Sequence, residues 1–438
     1  MKLPSIKSQS EPGPFSARNF LFLQGHIGPF FQNLAQLLID KGAKVHRINF
    51  NGGDLVSWNL SGAVEFRESI EKWPVFLARQ VQAQGITDIC LFGDCRPIHR
   101  MAIDSLRATS IAIHVFEEGY LRPDWITMES GGVNAFSSLP KNIEWYIEEE
   151  KNVNVTPRHV SVKGKYAERA LWDVVYNASV ALLHWRYREY KTHKPWPVGT
   201  EYWAGARRFF RRPTEKHNAK HQVDVLLQGR QPYFLFPLQL DADSQVRVHS
   251  PFGGMTKAIE LAIDSFARFS ASASRLVFTE HPLDNGVIPL RIVVEKVARE
   301  RGIESRVFFL DGGSPIELLS AACGVITVNS TIGIQAIEKG VPVKVLGDAI
   351  YDLPLLTHQS SLDHFWAQPE GPQPDAVRAF INVVKSKTQI NGCFFSRTGR
   401  LMAAELIRDR LMRNSAEAHS PRPKSEIFNI APAIPELV

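Results

Sequence analysis

The sequence predicts an α/β protein of two Rossmann-type domains, each a doubly wound parallel sheet, facing each other across a cleft and joined by a helical insertion. Three observations carry this. Apolar runs of strand length alternate with segments of helical period through residues 19–150, and again through 222–365. The strand-like runs end in loops of chemically distinctive residues, as in open α/β sheets, whose ligand crevices lie at strand C-termini. Between the two halves, residues 151–221 abandon the alternation for a helical period followed by basic and aromatic residues.

The chain of 438 residues is long enough for two ordinary domains. A formal charge of +6 is too small to argue nucleic acid by itself. Cys90, Cys95, Cys323 and Cys393 show neither CxxC spacing nor a paired framework, so no zinc site or disulfide scaffold is indicated. The opening, residues 1–18, is polar and Pro-bearing and reads as a disordered leader. The apolar run after it is only FLFL, which is not a signal peptide, and no later run reaches the ~18 apolar residues of a membrane span. A cytoplasmic protein is expected.

In the first half, a strand at Phe20 to Leu23 leads into Gln24-Gly25-His26-Ile27-Gly28-Pro29 and a helix at about 30–41. A second strand, Lys44 to Phe50, ends in Asn51-Gly52-Gly53-Asp54. This is a nucleotide-binding type of βαβ opening, although its spacing is not GxGxxG. A helix at 69–84 is capped by Gly85, and a strand from Asp88 to Phe92 runs into Gly93-Asp94-Cys95-Arg96-Pro97. After a helix at 101–108, a strand at 111–116 delivers Glu117, Glu118 and Gly119. Arg122, Pro123, Trp125, Glu129, Gly131, Gly132 and Asn134 follow, read as one irregular segment. Adjacent carboxylates at a strand end are costly to bury, and like charge beside like charge raises a pKa for acid–base work. The alternative is a solvated loop that happens to be acidic.

The insertion carries apolar residues at 171, 174, 175, 178, 181, 182 and 185, a helical period. Between His184 and Lys220 stand ten Lys and Arg against three Asp and Glu, interleaved with Trp, Tyr and Phe. That composition suits an anionic membrane surface. It equally suits a solvated interdomain helix pair whose aromatics pack into the protein. No RNA-binding module accompanies it, and no nucleic-acid partner is expected.

The second half is predicted to open with a strand at Val223–Leu227 and a loop containing Gln231, followed by FLFPLQL and Asp241-Ala242-Asp243-Ser244. Further strands at 275–279, 306–310, 324–328 and 343–346 alternate with helices at 255–268, 290–301 and 314–322. Helices at 373–386 and 399–413 fall in a closing region, 366–414, and residues 415–438 read as a flexible tail. His281-Pro282, after a strand, suits a phosphate or forms an ordinary turn. Asn329-Ser330-Thr331 offers hydroxyls and free N–H groups at a helix start, for a phosphate or simply as an N-cap. Asp241 and Asp243 form a DxD that can hold a nucleotide-bound metal but is common by chance; no metal is expected.

Two Rossmann-like halves around a cleft resemble the GT-B glycosyltransferases. Glu117-Glu118-Gly119, His281-Pro282 and Ser330-Thr331 resemble, in order and placement, the (D/E)(D/E)G, HP and paired-hydroxyl motifs of bacterial sialyltransferase-like enzymes. The strings FLQGHIGPFF, INFNGGD, FGDCRPIH, EEGYLRPDWITMESGGVN, QGRQPYFLFPLQLDADSQ, HSPF, TEHP and VNSTIGIQAI are similar to the capsule polysaccharide biosynthesis/export family, and within it to the single-module capsular β-Kdo transferases. The resemblance covers residues 20 to 365.

It implies transfer of Kdo (3-deoxy-D-manno-octulosonate) from CMP-β-Kdo, with retention, to a lysophosphatidylglycerol-type lipid at the inner face of the cytoplasmic membrane. This would start the linker on which capsule is built, with no cofactor required and other capsule assembly proteins as partners. By the same resemblance Glu117 or Glu118 is the acid–base or charge-stabilising carboxylate. Asp94 and Arg96 complete the acceptor side, Arg96 being able to pair with the Kdo carboxylate. His281 and Pro282 contact the CMP phosphate or ribose and Ser330 and Thr331 the phosphate, with Gly25, Gly119, Arg122, Gln231 and Asn329 as further candidates for binding substrate or nucleotide. A same-fold transferase for another activated sugar, or a non-catalytic export scaffold, are the alternatives.

Overall fold

The computed structural model describes residues 13, 15–153, 159–162, 164, 166–192, 199–200, 221–224, 226–229, 231–284, 286–311 and 315–418. Expectations for residues 1–12, for most of the basic-aromatic stretch and for the tail beyond 418 lie outside them.

The first unit is built as β1 (Asn19–Phe22), α1 (Phe30–Ile39), β2 (Lys44–Asn49), α2 (Gly52–Val56), β3 (Ala63–Glu65), α3 (Trp73–Gln84), β4 (Asp88–Phe92), α4 (Pro97–Leu106), β5 (Ala112–Glu118), β6 (Trp125–Ser130) and α5 (Ile143–Glu150). Its strands β3-β2-β1-β4-β5 are parallel. Strand β4 and the middle of β1 are buried apolar runs, as required where helices cover both faces of a sheet. α1 turns Phe30, Phe31, Leu34, Ala35 and Leu38 inward at helical spacing, and α3 ends at Gly85 with φ 56°, a left-handed cap.

Two features differ from the sequence expectation. Trp125–Ser130 is not irregular: it is the buried strand β6, antiparallel to β5. Its Glu129 is fixed inside the fold, accepting hydrogen bonds from Tyr120 (2.6 Å) and Ser137. The sheet is then extended by β12 (Gln389–Asn391), which returns from the far end of the chain to pair antiparallel with β6. The following helix, α14 (Arg397–Ala418), packs on α1. A three-residue strand carries no periodic signal, so sequence pattern had nothing to register there.

α6 (Tyr166–Leu182) lies against α2, where Gly52 and Gly53 leave room for it: a Cβ on Gly53 would stand 2.4 Å from the Tyr176 ring. The second unit comprises β7 (Tyr233–Pro237), α7 (Ser244–Arg247), α8 (Met255–Phe269), β8 (Arg275–Thr279), α9 (Leu290–Glu300), β9 (Val307–Leu310), α10 (Pro315–Leu319), β10 (Gly324–Thr327), α11 (Ile332–Glu338), β11 (Val343–Val345), α12 (Leu362–Phe365) and α13 (Pro374–Lys387). Its sheet, β11-β10-β7-β8-β9, is wholly parallel. Residues 221–224 and 226–228 are helical rather than the expected strand, and FLFP supplies the first strand of this sheet. The apolar run at 223–227 is short enough to serve either state, and packing decided it.

A shared core joins the units: Tyr120, Leu121, Trp125, Ile143 and Tyr146 of the first meet Leu235, Val277, Val325 and Phe380 of the second. Two Rossmann-type sheets joined in this way make a GT-B-like architecture. Among the described residues no helix is long and apolar enough to cross a membrane.

Candidate active site

The C-terminal strand ends of the two sheets look toward each other, and Cys95 meets His249 across the gap, Sγ to Nε2, at 3.1 Å. On the first sheet the neighbouring strands β5, β4, β1 and β2 end in Glu117-Glu118, Gly93-Asp94-Cys95-Arg96, Gln24-Gly25-His26 and Asn51-Gly52-Gly53-Asp54. On the second, β10, β7 and β8 end in Asn329-Ser330-Thr331, Gln239 to Asp243, and Glu280-His281-Pro282. Chain topology alone gathers these segments, because parallel strands place all their C-termini on one edge.

Glu117 and Glu118 close β5, and the Glu118 N–H donates to Glu117 Oε1 at 3.0 Å. Their environments push them apart. Burial, with the charges of Glu118 and of Asp243 from the second unit, raises Glu117 to about 8 against the opposing pull of the Glu118 N–H and Arg96. For Glu118 burial acts in the same upward sense, but the Arg122 ion pair, helped by His26 and Arg169, overcomes it and holds the group at about 2. At neutral pH one carboxyl is therefore protonated and its neighbour ionised, a division of labour suited to acid–base chemistry. Gly119 is required by the turn: a Cβ there would lie 2.4 Å from the Trp125 carbonyl oxygen.

Arg96 begins α4 and reaches back over β1, donating from Nη1 to Gln24 Oε1 (2.9 Å) and to the Gly25 carbonyl (3.2 Å). Gln24 is buried and in turn donates to Asp54 (3.1 Å) and Tyr176 (3.2 Å), while Asp54 pairs with Arg47 at 3.4 Å. Asp94 is also buried; it accepts from the Val133 N–H (2.8 Å) and the Cys95 thiol (3.2 Å), so it holds the loop and its carboxylate is already engaged. Burial, then the Asp94 charge, pushes the Cys95 thiol well above its usual range.

On the second sheet Asn329 is tied inward, accepting from Gln239 (2.9 Å) and donating to the carbonyls of Gln245 (2.6 Å) and His249 (3.0 Å). Ser330 and Thr331, half-buried, precede α11; the Ser330 carbonyl is held by the Tyr351 hydroxyl at 2.6 Å. His281 Nδ1 accepts from the Leu283 N–H at 3.1 Å, which orients its ring, and Pro282 is exposed. The DxD divides: Asp241 caps α8 through Met255 N–H (2.8 Å) and pairs with Arg247 (3.0 Å), whereas Asp243 caps α7 and faces the glutamates. Gln231 stands apart from all of these. It is exposed and precedes β7, at the opposite edge of the sheet from the strand C-termini. Its placement followed from the misread strand at 223–227.

Several residues enter the site that sequence pattern did not single out. His26 stacks on Phe394 (centroids 4.5 Å apart), and burial lowers it to about 4. Arg169 of α6 caps the Phe395 ring at 4.3 Å and contributes its charge to Glu118. His249, Cys95 and Tyr176 join them. An isolated histidine, thiol or tyrosine carries no spacing signal, and Phe394 and Phe395 arrive through the late return of the chain. Asp94, Cys95 and His249 are near enough to share one ion, although Asp94 and Cys95 already satisfy each other.

A two-domain GT-B-like protein with a charged interdomain cleft is thus defined by fold and site. The chain belongs to the capsule polysaccharide biosynthesis protein family, which it matches over residues 87–395. It is 33% identical over 385 residues to the capsule polysaccharide export protein KpsS of Escherichia coli, covering 87% of this chain and 97% of that protein. It is 31% identical over 415 residues to the capsule polysaccharide modification protein LipB of Neisseria meningitidis serogroup B, covering 91% and 96% respectively. Among solved structures, KpsC of Thermosulfurimonas dismutans, a beta Kdo 2,7 transferase, aligns over 92% of this chain and 99% of its own, with TM-score 0.44 and 12% identity.

Proposed function

We propose that this protein is a retaining glycosyltransferase that moves Kdo from CMP-β-Kdo to a (lyso)phosphatidylglycerol-type acceptor at the inner face of the cytoplasmic membrane, initiating the poly-Kdo linker of capsule. The observation that carries the proposal is the pair Glu117 and Glu118, one protonated and one ionised, at the strand end that faces Asp243 of the other domain. A protonated carboxyl can deliver or take back a proton at an oxygen of the substrate. An ionised one beside it stabilises positive charge developing on a sugar ring. His281 after β8, and Ser330 and Thr331 after β10, at strand ends on either side of β7 in the second sheet, are suited to the nucleotide phosphate. On the first sheet Arg96 serves the acceptor side and Asp94 positions the loop that carries it.

Membership of the capsule family supports the biological setting. Peripheral membrane contact is supported by the sequence charge of residues 184–220 and by Leu171, Val174, Leu182 and Trp185, all more than half exposed along or just after α6. The test is an assay with CMP-Kdo generated in situ and fluorescent lysophosphatidylglycerol, comparing wild type with Glu118→Gln and His281→Ala. A mass-shifted product that both variants lose is expected. CMP binding without product would redirect the proposal to another donor or acceptor, and neither product nor CMP binding would leave an export scaffold.

A further inference from the structure

We infer that Gln389, from β12, is a positioning residue for Glu118 and Arg122, fixing from the far end of the chain the turn that carries both. The inference rests on the role given to Glu118 above. Residues 119–124 cross from β5 to β6, and Arg122 in that crossing pairs with Glu118. The two side chains are only partly buried, Arg122 at 38% and Glu118 at 27% exposed. A pair of that kind is held weakly by itself, because long side chains open to water lose freedom in adopting one geometry. Its geometry is therefore set by the backbone on either side, and that backbone is held from inside.

Glu117, Thr127 and Gln389 stand directly opposite one another across β5, β6 and β12, and Thr127 and Gln389 are wholly buried. Gln389 Nε2 donates to the Thr127 hydroxyl at 3.0 Å. That hydroxyl donates to the Glu118 carbonyl at 3.2 Å and accepts the Tyr120 N–H at 3.2 Å, which uses its one hydrogen and both lone pairs. Gln389 Nε2 also donates to Thr388 Oγ1 at 2.9 Å, and Gln389 Oε1 accepts the Leu121 N–H at 3.4 Å. Residues 118, 120 and 121 are thus held by one carboxamide, directly or through Thr127. Asn391, two positions along the strand, takes the far side of the turn. Its Nδ2 and the Gly392 N–H both donate to the Asp124 carbonyl, at 2.7 and 2.8 Å. Arg122 is suspended between these anchors. β12 is itself pinned, since the Gln389 carbonyl accepts from Arg410 of α14 at 3.0 Å. Donor and acceptor must face the turn from one side chain; a carboxylate supplies no donor, and a thioether supplies no donor and only a weak acceptor.

The experiment compares Gln389→Met and Thr127→Val, which keep the shape and lose the hydrogen bonds, with Thr127→Ser, which keeps the hydroxyl. The Thr127 pair carries the test if Gln389→Met fails to fold. A readout free of turnover comes first: the shift in urea midpoint at pH 7 caused by Gln389→Met or Thr127→Val, in wild-type and Glu118→Gln backgrounds. The shift is expected to be smaller where residue 118 cannot ion-pair, and equal shifts would overturn the inference. In the transferase assay both variants are expected to lower kcat roughly tenfold to a hundredfold, with the KM for CMP-Kdo within about twofold, because the nucleotide side of the cleft is untouched. The acid limb of the kcat profile should move to higher pH, since Arg122 holds Glu118 ionised, and Thr127→Ser should restore it. An unmoved limb, or a loss that Thr127→Ser shares in full, would overturn the positioning role. If even wild type shows no turnover while the urea shifts are unequal, the positioning role stands and the transferase proposal falls.

Discussion

Cys95, at the end of β4, and His249, in the loop after α7, touch across the cleft at 3.1 Å, and each is anchored on its own side. Cys95 donates to Asp94, and the His249 carbonyl receives the Asp348 N–H at 2.9 Å. Replacing either by Ala is expected to cost about 1 kcal/mol of stability in denaturant unfolding, as for a single neutral hydrogen bond. Because its thiol is held protonated, Cys95 should react slowly with iodoacetamide at pH 8. Rapid alkylation of the folded protein, mapped to Cys95 by peptide mass, would show that this contact is open in solution.

The glutamate pair predicts opposite pH signatures. Glu117 titrates in the folded protein near 8 but near 4.5 when unfolded, so the native state binds more protons between those values and stability falls as pH rises through that window. Glu117→Gln removes the penalty, and its Tm should exceed that of wild type at pH 8.5 and not at pH 4. Glu118, depressed to about 2, contributes stability above pH 4.5 that is lost as pH falls toward 2. Glu118→Gln should therefore lower Tm at pH 7, and a Tm equal to wild type there would contradict the Arg122 pairing.

Arg18, in the segment before β1, ties β4 to α14. Arg18 pairs with Asp88, which also takes His114 at 2.8 Å, and Arg18 donates at 3.0 Å to the Leu411 carbonyl of α14. Removing one partner strands a buried charge, so Arg18→Ala is expected to destabilise by about 3 kcal/mol in urea unfolding. A loss below about 0.5 kcal/mol, the scale of an exposed pair, would show that water reaches the carboxylate.

Gly53→Ala should cost about 1–3 kcal/mol by overpacking, because the added methyl meets the Tyr176 ring. Tyr176 also receives hydrogen bonds from Asn51 (2.9 Å) and Gln24 (3.2 Å), and Gln24 holds Arg96. The loss should register as a lower Tm, and a Tm equal to wild type would show that the Tyr176 ring moves aside.

Both oxygens of Asp241 are committed, to α8 and to Arg247. EDTA should accordingly leave CMP-dependent stabilisation unchanged, while Asp241→Asn should lower Tm. A loss of CMP binding on chelation, restored by a divalent cation, would return the DxD to the site.

Much of the fold was written in local pattern. Strand and helix periods are short-range signals, and runs such as Asp88–Phe92 and Arg275–Thr279 have the bounds that their composition predicts. The loop chemistry at Glu117-Glu118, Arg96, His281 and Ser330 was legible for the same reason: parallel strands deliver their ends to one edge, so the succession of motifs along the chain becomes a row in space. Val223–Leu227 misled because a short apolar run fits a helix as readily as a strand, and the error carried Gln231 to the wrong edge.

What the sequence by itself determined was this alternation, the two sheets and the residues offered at their crevices, since each depends on neighbours within a few positions. Only the tertiary structure decided that β12 crosses back to complete the first sheet, that Asp94 and Asn329 spend their polar groups on holding loops, and that Glu117 and Glu118 part in acidity. Those outcomes depend on burial and on charges far apart in the chain, Arg169 and Asp243 among them, which meet only when the two domains close around one cleft.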